Sequence, residues 1–459
     1  MKKLLIVATT SLAFSGAIGA GFGIYEASAR GNAMGGAVVG DVNDATASYH
    51  NPANLAFIRN VQVAAGVTFI NPYCDVEVDH QSQGRMNPGW FTVPTFYATI
   101  PLPFDVTFGW GNYTEYGLGS EYARRWKLAG DTQRTTLEQM TLNPNLAYKI
   151  TDRWGVSAGI RGSWISFCNR KQPNQGDSIY GSTTIPTPYG NFPASYRVND
   201  AYALDSKLKG DDWSMGWTAS TSYRLLDNLK LGLVYRSQIR HKLKGDFKLN
   251  GVAGGTPIVT VPRVLVPALG RTVKGDAQYQ EVGEWSRASA KVRLPQSVTF
   301  GANWDVTDRF RVGSSITWTQ WSSLDKLRFE IPGGAEGRNR TYTQKFNWHD
   351  TYRVGVGIEY DLFDWMAVRC GYTFDQDPTS RHHQSTMLPG GDRHIIGTGL
   401  GFKITENLRL DLGYNFIRMN NEHYWISTQN SESGEVKRHY MSCHNGYSHL
   451  ASATISYSF

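Results

Sequence analysis

Residues Ala451 to Phe459 read Ala-Ser-Ala-Thr-Ile-Ser-Tyr-Ser-Phe. Ala451, Ala453, Ile455, Tyr457 and Phe459 form one face, and Ser452, Thr454, Ser456 and Ser458 the other. Alternation at period 2 is the mark of a half-buried strand. The first face suits lipid; the second suits a polar or packed lumen. An edge strand of a secreted sheet is the plain alternative. In a membrane, however, a sheet must close, because an open edge leaves backbone groups unpaired in hydrocarbon. The expectation is an all-β chain forming a transmembrane antiparallel β-barrel.

Upstream, short Asp- and Asn-bearing turns recur between strand-like runs: Leu102–Asp105, Thr151–Trp154, Leu226–Asn228, Val306–Arg309, Leu362–Trp365 and Thr405–Asn407. Asp and Asn suit tight turns because their side chains bond local backbone. Alternating runs follow several of them, such as Leu229-Leu231-Leu233 and Leu408-Leu410-Leu412. Longer polar stretches lie between, near 79–92, 117–136, 167–211, 246–286, 331–345, 376–392 and 426–444. Strict alternation of short and long connections predicts about fourteen strands, with short periplasmic turns and long outer loops.

Composition agrees. Hydrophobic residues make up 41% of 459 and mean hydropathy is -0.38. After the first fifteen residues no apolar run approaches the ~20 residues of a spanning helix. A barrel escapes that test, because only alternate residues face lipid. The formal charge of +7 permits nucleic-acid binding. Yet Lys and Arg are scattered and no nucleic-acid motif appears, so no nucleic-acid partner is expected. A solvated surface explains the charge; Arg124-Arg125-Trp126-Lys127 is a candidate contact with anionic lipid headgroups, lipopolysaccharide among them.

Lys2 and Lys3, the apolar run Leu4 to Phe14, and the small residues Ala17, Gly19 and Ala20 form a signal-peptide pattern. The chain is therefore expected to be exported to the outer membrane of a Gram-negative cell. Exported cysteines can oxidise, and Cys74, Cys168, Cys370 and Cys443 allow three full pairings. Cys74 and Cys443 fall near the outer ends of the first and last strands, which a closed barrel makes neighbours.

Between signal and strands lies Ala20 to Asn60, rich in Gly, Ala, Ser and Asn, without period-2 alternation and containing Asn51-Pro52-Ala53. A small-residue segment ahead of a long run of strands suggests a plug. The expected division is a signal peptide at 1–19, a hatch at 20–60 and the barrel at 61–459.

The set Ala20-Gly21-Phe22, Asp44-Ala45, Asn51-Pro52-Ala53, Tyr113 to Tyr122 (YTEYGLGSEY), Tyr235-Arg236-Ser237, Leu294-Pro295, Asp350-Thr351-Tyr352-Arg353, Pro389 and Asp392-Arg393 resembles the FadL-type family of long-chain fatty acid and hydrocarbon transporters. Each match alone is short; their order and spacing over nearly the whole chain carry the resemblance. It implies a fourteen-stranded barrel with an N-terminal hatch, a monomer, and passive uptake of hydrophobic molecules. Substrate would pass from an outer groove to an inner pocket and leave sideways at a kink in the third strand. Long-chain fatty acids are the first expectation and aromatic hydrocarbons the second.

The resemblance assigns residues. Phe22, with Ile24, would help fill the inner pocket; plug packing explains them equally. Tyr116, Gly117 and Gly119 would form the lateral opening, and glycine inside a strand does mark a bend or close approach. A strand ending in a loop is the plainer account. Asn51, Pro52 and Ala53 would brace the hatch, or simply turn the chain. Arg161 and Arg236 are candidates for a carboxylate, although strand-end arginines are often only solvated. Tyr457 and the terminal Phe459 resemble the signal read by the barrel assembly machinery. No cofactor, metal set or catalytic nucleophile stands out. His382-His383, His394, His439, His444 and His449 show no repeated ligand spacing. An outer-membrane hydrolase would need a Ser or acid beside a positioned His; a general polar porin is the third class.

Overall fold

The computed structural model describes residues 21–86, 89–123, 126–172, 179–187, 190–198, 202–253, 257–260, 273–274, 280–332, 340–379, 384–429 and 436–459. The expected signal peptide, Arg124-Arg125 and His382-His383 lie outside these residues.

Fourteen wall strands close into an antiparallel barrel. They are β1 (Gln62–Val78), β2 (Phe91–Pro101), β3 (Val106–Tyr113, then Leu118–Glu121), β4 (Arg134–Thr151), β5 (Trp154–Lys171), β6 (Tyr202–Leu226) and β7 (Leu229–Arg236, then Ile239–Ala253). There follow β8 (Gln280–Leu294, then Ser297–Asp305), β9 (Phe310–Thr319, continued by Lys326–Ile331), β10 (Thr351–Phe363), β11 (Met366–Asp375), β12 (Arg393–Lys403), β13 (Leu408–Met419, then Glu422–Gln429) and β14 (Val436–Ser458). Each pairs with its neighbours in sequence, and β14 returns to β1 in a register running from Gln62 with Ser458 to Val78 with Met441. No edge is left around the wall at the seam.

The alternation of the last strand holds: Ala451, Ile455, Tyr457 and Phe459 are exposed on the outer face, while Ser452, Thr454 and Ser456 are buried. On β10, Val354, Val356 and Ile358 face outward between Tyr352 and Tyr360, the aromatic-flanked apolar band that a bilayer requires. The long connections are shorter than the sequence suggests. Strand β5 runs to Lys171, β7 reaches Ala253, and Gln81–Met86 adds a strand beside β1. Beyond the bilayer the outward face meets water, so apolar alternation stops while the hydrogen-bonded ladder continues.

Residues 21–58 pack against the inward face of the wall and are mostly buried. Two short helices, α1 (Ala29–Ala33) and α2 (Ala47–His50), precede a 3₁₀ turn over Pro52–Phe57. Backbone lies directly on backbone here. A Cβ on Gly313 would overlap the Ala37 carbonyl, one on Gly355 the Gly35 carbonyl, and one on Gly232 would come within 2.5 Å of the Val39 carbonyl oxygen. The wall glycines therefore make room for the segment. Polar side chains then complete its orphaned groups: Asn303 accepts from Gly40 N–H at 2.8 Å and donates to the Ala37 carbonyl at 2.8 Å. Asn415 donates to the Asn32 carbonyl at 2.8 Å, and Thr373 to that of Gly35 at 2.9 Å. Arg30 reaches Glu359 on β10 at 2.9 Å, and Arg369 also bonds Glu359 while pairing with Asp411 at 2.7 Å.

At the loop end, Cys74 on β1 is disulfide-bonded to Cys443 on β14; Cys168 and Cys370 are free. The bond lies in an apolar cluster with Met86, Tyr424 and Met441. Trp126 stacks on Tyr122 in the same cluster, with ring centroids 4.0 Å apart, and Lys127 pairs with Asp79 at 2.7 Å. The Trp126 ring is buried in this cluster and so is held among the loops, while Lys127 stays exposed beside the Asp79 carboxylate.

Candidate functional site

The ladder between β2 and β3 stops at Phe96 with Asn112. Past it, Thr114, Glu115, Tyr116 and Gly117 leave the alternating pattern and are buried, and β3 resumes at Leu118–Glu121 by pairing with β4. A wall strand is thus interrupted on the β2 side, where unpaired groups would be costly against lipid. The N-terminal segment fills part of the deficit. Ile24 N–H donates to the Glu115 carbonyl at 2.8 Å, Gly117 N–H donates to the Phe22 carbonyl at 2.9 Å, and Gly23 bridges Tyr116. Gly119 lies in the resumed segment, and the Phe91 ring occupies the place a Cβ there would need.

One remaining debt is met by Gln139 on β4, whose side-chain oxygen accepts from the backbone N–H of Glu115 at 2.8 Å and of Tyr116 at 3.4 Å. Its amide nitrogen is held by Thr141 at 2.5 Å and Ser163 at 3.0 Å. Sequence reading missed Gln139. On a lumen-facing strand position it reads as one polar residue among many.

Arg161 and Arg236 come together on Glu115. Arg161 bonds the Glu115 carboxylate and donates to the Ser237 carbonyl at 3.0 Å; it is 1% exposed. Arg236 lies 3.4 Å from the other carboxylate oxygen, 4.8 Å over the Tyr49 ring, and donates to the Tyr49 carbonyl. Two guanidinium groups face one carboxylate, leaving a net positive charge beside the break. Arg236 also lines a small cavity of mixed character with Tyr25, Val39, Tyr49, Glu115 and Arg353.

Beside these groups Phe22 is packed in an apolar cluster. Phe22 is 5% exposed, with ring centroids 4.9 Å from Trp321, 5.7 Å from Trp348 and 5.8 Å from Tyr116. Ile165, Phe167, Ile239, Leu243 and Phe329 belong to the same cluster. Trp321 and Trp348 went unread in the sequence because Trp321 falls in the gap between the two pieces of β9 and Trp348 just ahead of β10, outside the alternating pattern. Ile24 points elsewhere, into a cluster with Ile70, Phe91 and Val93 beside the break. Asn51 donates to the Val39 carbonyl at 3.0 Å and accepts from Ala53 at 3.1 Å, while Pro52 opens the 3₁₀ turn against the wall. Tyr457 and Phe459 lie outside, at the end of β14, with ring centroids 4.8 Å apart.

Ser163, His241 and Asp212 line up in the order of a hydrolase triad. His241 lies 3.3 Å from Ser163 Oγ and 3.1 Å from Asp212. The surroundings argue for a different role. Ser163 is held by Gln139 and sits mid-strand between β4 and β6, where backbone amides are committed to the ladder. An oxyanion hole needs such donors free and preorganised. The three residues extend the relay that fixes Gln139.

Residues 9–459 match the family described as outer membrane protein transport protein (OMPP1/FadL/TodX). A long-chain fatty acid transport protein of Escherichia coli O6:H1 is 24% identical, covering 91% of this chain and 90% of that one. Outer membrane protein P1 of Haemophilus influenzae is 24% identical, covering 92% of each. Among solved structures, a Pseudomonas aeruginosa FadL homologue superposes with a TM-score of 0.75 at 20% identity over 96% of this chain and all of that one. The P. putida toluene transporter TodX gives 0.66 at 17% identity, over 94% and 98%.

Proposed function

The chain belongs to the OMPP1/FadL/TodX family of outer-membrane transport proteins, and on that premise we propose that it takes up long-chain fatty acids by exchange with Phe22 and releases them sideways through the break in β3. It is an outer-membrane transporter of hydrophobic compounds, not an enzyme. The observation that carries the lateral route is the interrupted β2–β3 ladder, stopped by three consecutive residues of the N-terminal segment. Residues 21–60 act as the hatch. Most of it is tied to the wall by side chains and ion pairs, while Phe22 to Ile24 meet the break through backbone bonds that a small shift can release.

Binding follows from burial. Each CH₂ removed from water contributes about 0.8 kcal/mol, so an acyl chain can replace the Phe22 ring and gain more. The excess guanidinium charge at Arg236 and Arg161 supports a carboxylate end group. The aromatic walls contributed by Trp321 and Trp348 favour the second reading, an aromatic hydrocarbon. Binding of radiolabelled oleate and toluene to the purified barrel separates them. Saturable oleate binding that weakens several-fold in Arg236→Gln supports the fatty-acid reading; toluene binding with weak oleate binding replaces it. Binding of neither, with large steady conductance in planar bilayers, would leave a porin.

A further inference from the structure

We propose that the outer face of β7 and β8 is a binding site for the phosphorylated headgroup of an outer-leaflet glycolipid. The register sets Arg240 opposite Arg293 and Lys242 opposite Lys291, and Lys291 opposite Arg328 on the continuation of β9. All five are exposed on the outside of the wall. Like charges directly opposite on neighbouring strands repel. Among the described residues, no carboxylate pairs with the side chains of Arg240, Lys242, Lys291 or Arg293, and the Arg240 guanidinium bonds the Gln238 side chain at 3.2 Å; Arg328, at the edge of the group, lies 3.5 Å from Glu330. Strands about 4.8 Å apart, with same-face residues about 7 Å along each, bring the four cations around an area the size of one phosphate. Such rungs call for an external anion.

Their height selects the source. On β6, Tyr223, Trp217, Met215 and Trp213 are exposed outward. From Tyr223 to Trp213 the strand rises about 33 Å, or about 25 Å along the membrane normal at a tilt of ~40°, the height of a lipid-facing band. The next outward residue, Asp211, pairs with Lys244, which puts Lys242 level with Trp213. The Lys242–Lys291 rung therefore lies where the band ends, at headgroup height on the loop side, and the Arg240–Arg293 rung lies one step below it, level with Met215, from where a long arginine side chain can reach up to the same headgroup. A nucleic-acid duplex cannot approach that level past the surrounding lipid. An acylated glycolipid can, laying its chains along Trp213, Met215 and Trp217 and its phosphates on the rungs. The site is separate from the lumen and does not depend on the identity of the transported molecule.

Delipidated full-length protein in detergent would be titrated with bis-phosphorylated, mono-phosphorylated and dephosphorylated lipid A, bound lipid being counted by native mass spectrometry. Cationic residues near a charged surface act roughly additively. The triple variant Lys242→Gln, Lys291→Gln, Arg293→Gln is expected to bind bis-phosphorylated lipid A at least about tenfold more weakly. Lys242→Arg with Lys291→Arg should retain binding, and Lys403→Gln at the opposite end of the barrel should change nothing. Heat-modifiable electrophoretic mobility reports barrel closure; if the triple variant fails to close, Lys242→Gln and Lys291→Gln singly should each weaken binding by about threefold. Unchanged affinity in the neutralised variants, equal affinity for the dephosphorylated lipid, or competition by inorganic phosphate as strong as by the lipid would overturn the assignment.

Discussion

Ile24 donates its backbone N–H to the carbonyl of Glu115 at 2.8 Å, joining the N-terminal segment to the wall strand β3 where its ladder with β2 has stopped. The bond is local and exchangeable. The anchors behind it, from Arg30 with Glu359 to Asn303 with Ala37, are side-chain contacts spread along the wall. On the proposed lateral route, motion that opens the break therefore needs only Phe22 to Ile24 to shift.

If substrate replaces Phe22, removing the ring removes a competitor. Burial of a Phe side chain is worth about 1.5–3 kcal/mol, which corresponds to roughly ten- to a hundredfold in affinity. Phe22→Ala is expected to tighten equilibrium binding of a hydrophobic ligand by about that factor, read by fluorescence titration. Unchanged affinity would place the ligand elsewhere.

Gln139→Leu keeps the volume but removes the acceptor for two N–H groups of the break. An unsatisfied buried donor costs about 1–3 kcal/mol. Faster hydrogen exchange at Glu115 and Tyr116 is expected, with the β4–β5 ladder unchanged. Protection equal to the parent would show that Gln139 does not hold the break.

Gly313→Val forces a side chain into the space of the Ala37 carbonyl. The barrel, whose ladder does not involve that side chain, should still assemble. The N-terminal segment should become accessible to protease between 30 and 45. A protected segment would contradict close backbone contact as the reason for the wall glycines.

Asp79, in the turn after β1, gives a pH test outside the membrane. Partial burial opposes its ionisation, but hydrogen bonds from His439 at 2.8 Å, Lys127 and the Tyr440 amide at 2.8 Å outweigh it and hold the carboxyl well below the usual range. A depressed folded-state value contributes stability that is present above the ordinary carboxylate value of about 4 and lost as pH falls through the lower folded one. Loop proteolysis near Asp79 should be flat from pH 8 to about 5 and rise only in acid below that. Asp79→Asn should raise it already at neutral pH. A rise near pH 6 in the parent would assign the control to a different group.

The wall was legible because lipid imposes one rule on every strand: Ile455 outside and Thr454 inside can be read from the sequence alone. Strand ends were not, because past the bilayer Arg240 and Lys242 obey no apolar rule while the ladder goes on. Tyr116 and Gly117 could be placed in the third strand by resemblance, whereas the pairing of Gly23 with Tyr116 joins residues 93 apart and leaves no local signal. Arg161 and Arg236 were visible as strand cations. Their shared carboxylate, Glu115, was hidden because it lies where alternation breaks down. Cys74 and Cys443 were the exception among long-range contacts: closure of the barrel makes the first and last strands neighbours.

The lateral route is tested most directly by locking the break. Gly23→Cys and Tyr116→Cys, on the bridging pair, would be introduced together with Cys168→Ser and Cys370→Ser, and uptake of labelled oleate measured in cells before and after reduction. The same cells carrying only the two serine substitutions control for reduction of Cys74–Cys443. Loss of uptake when the new pair is oxidised, with recovery on reduction, is the predicted result. Uptake at an unchanged rate with the cross-link complete would contradict release through the β3 break.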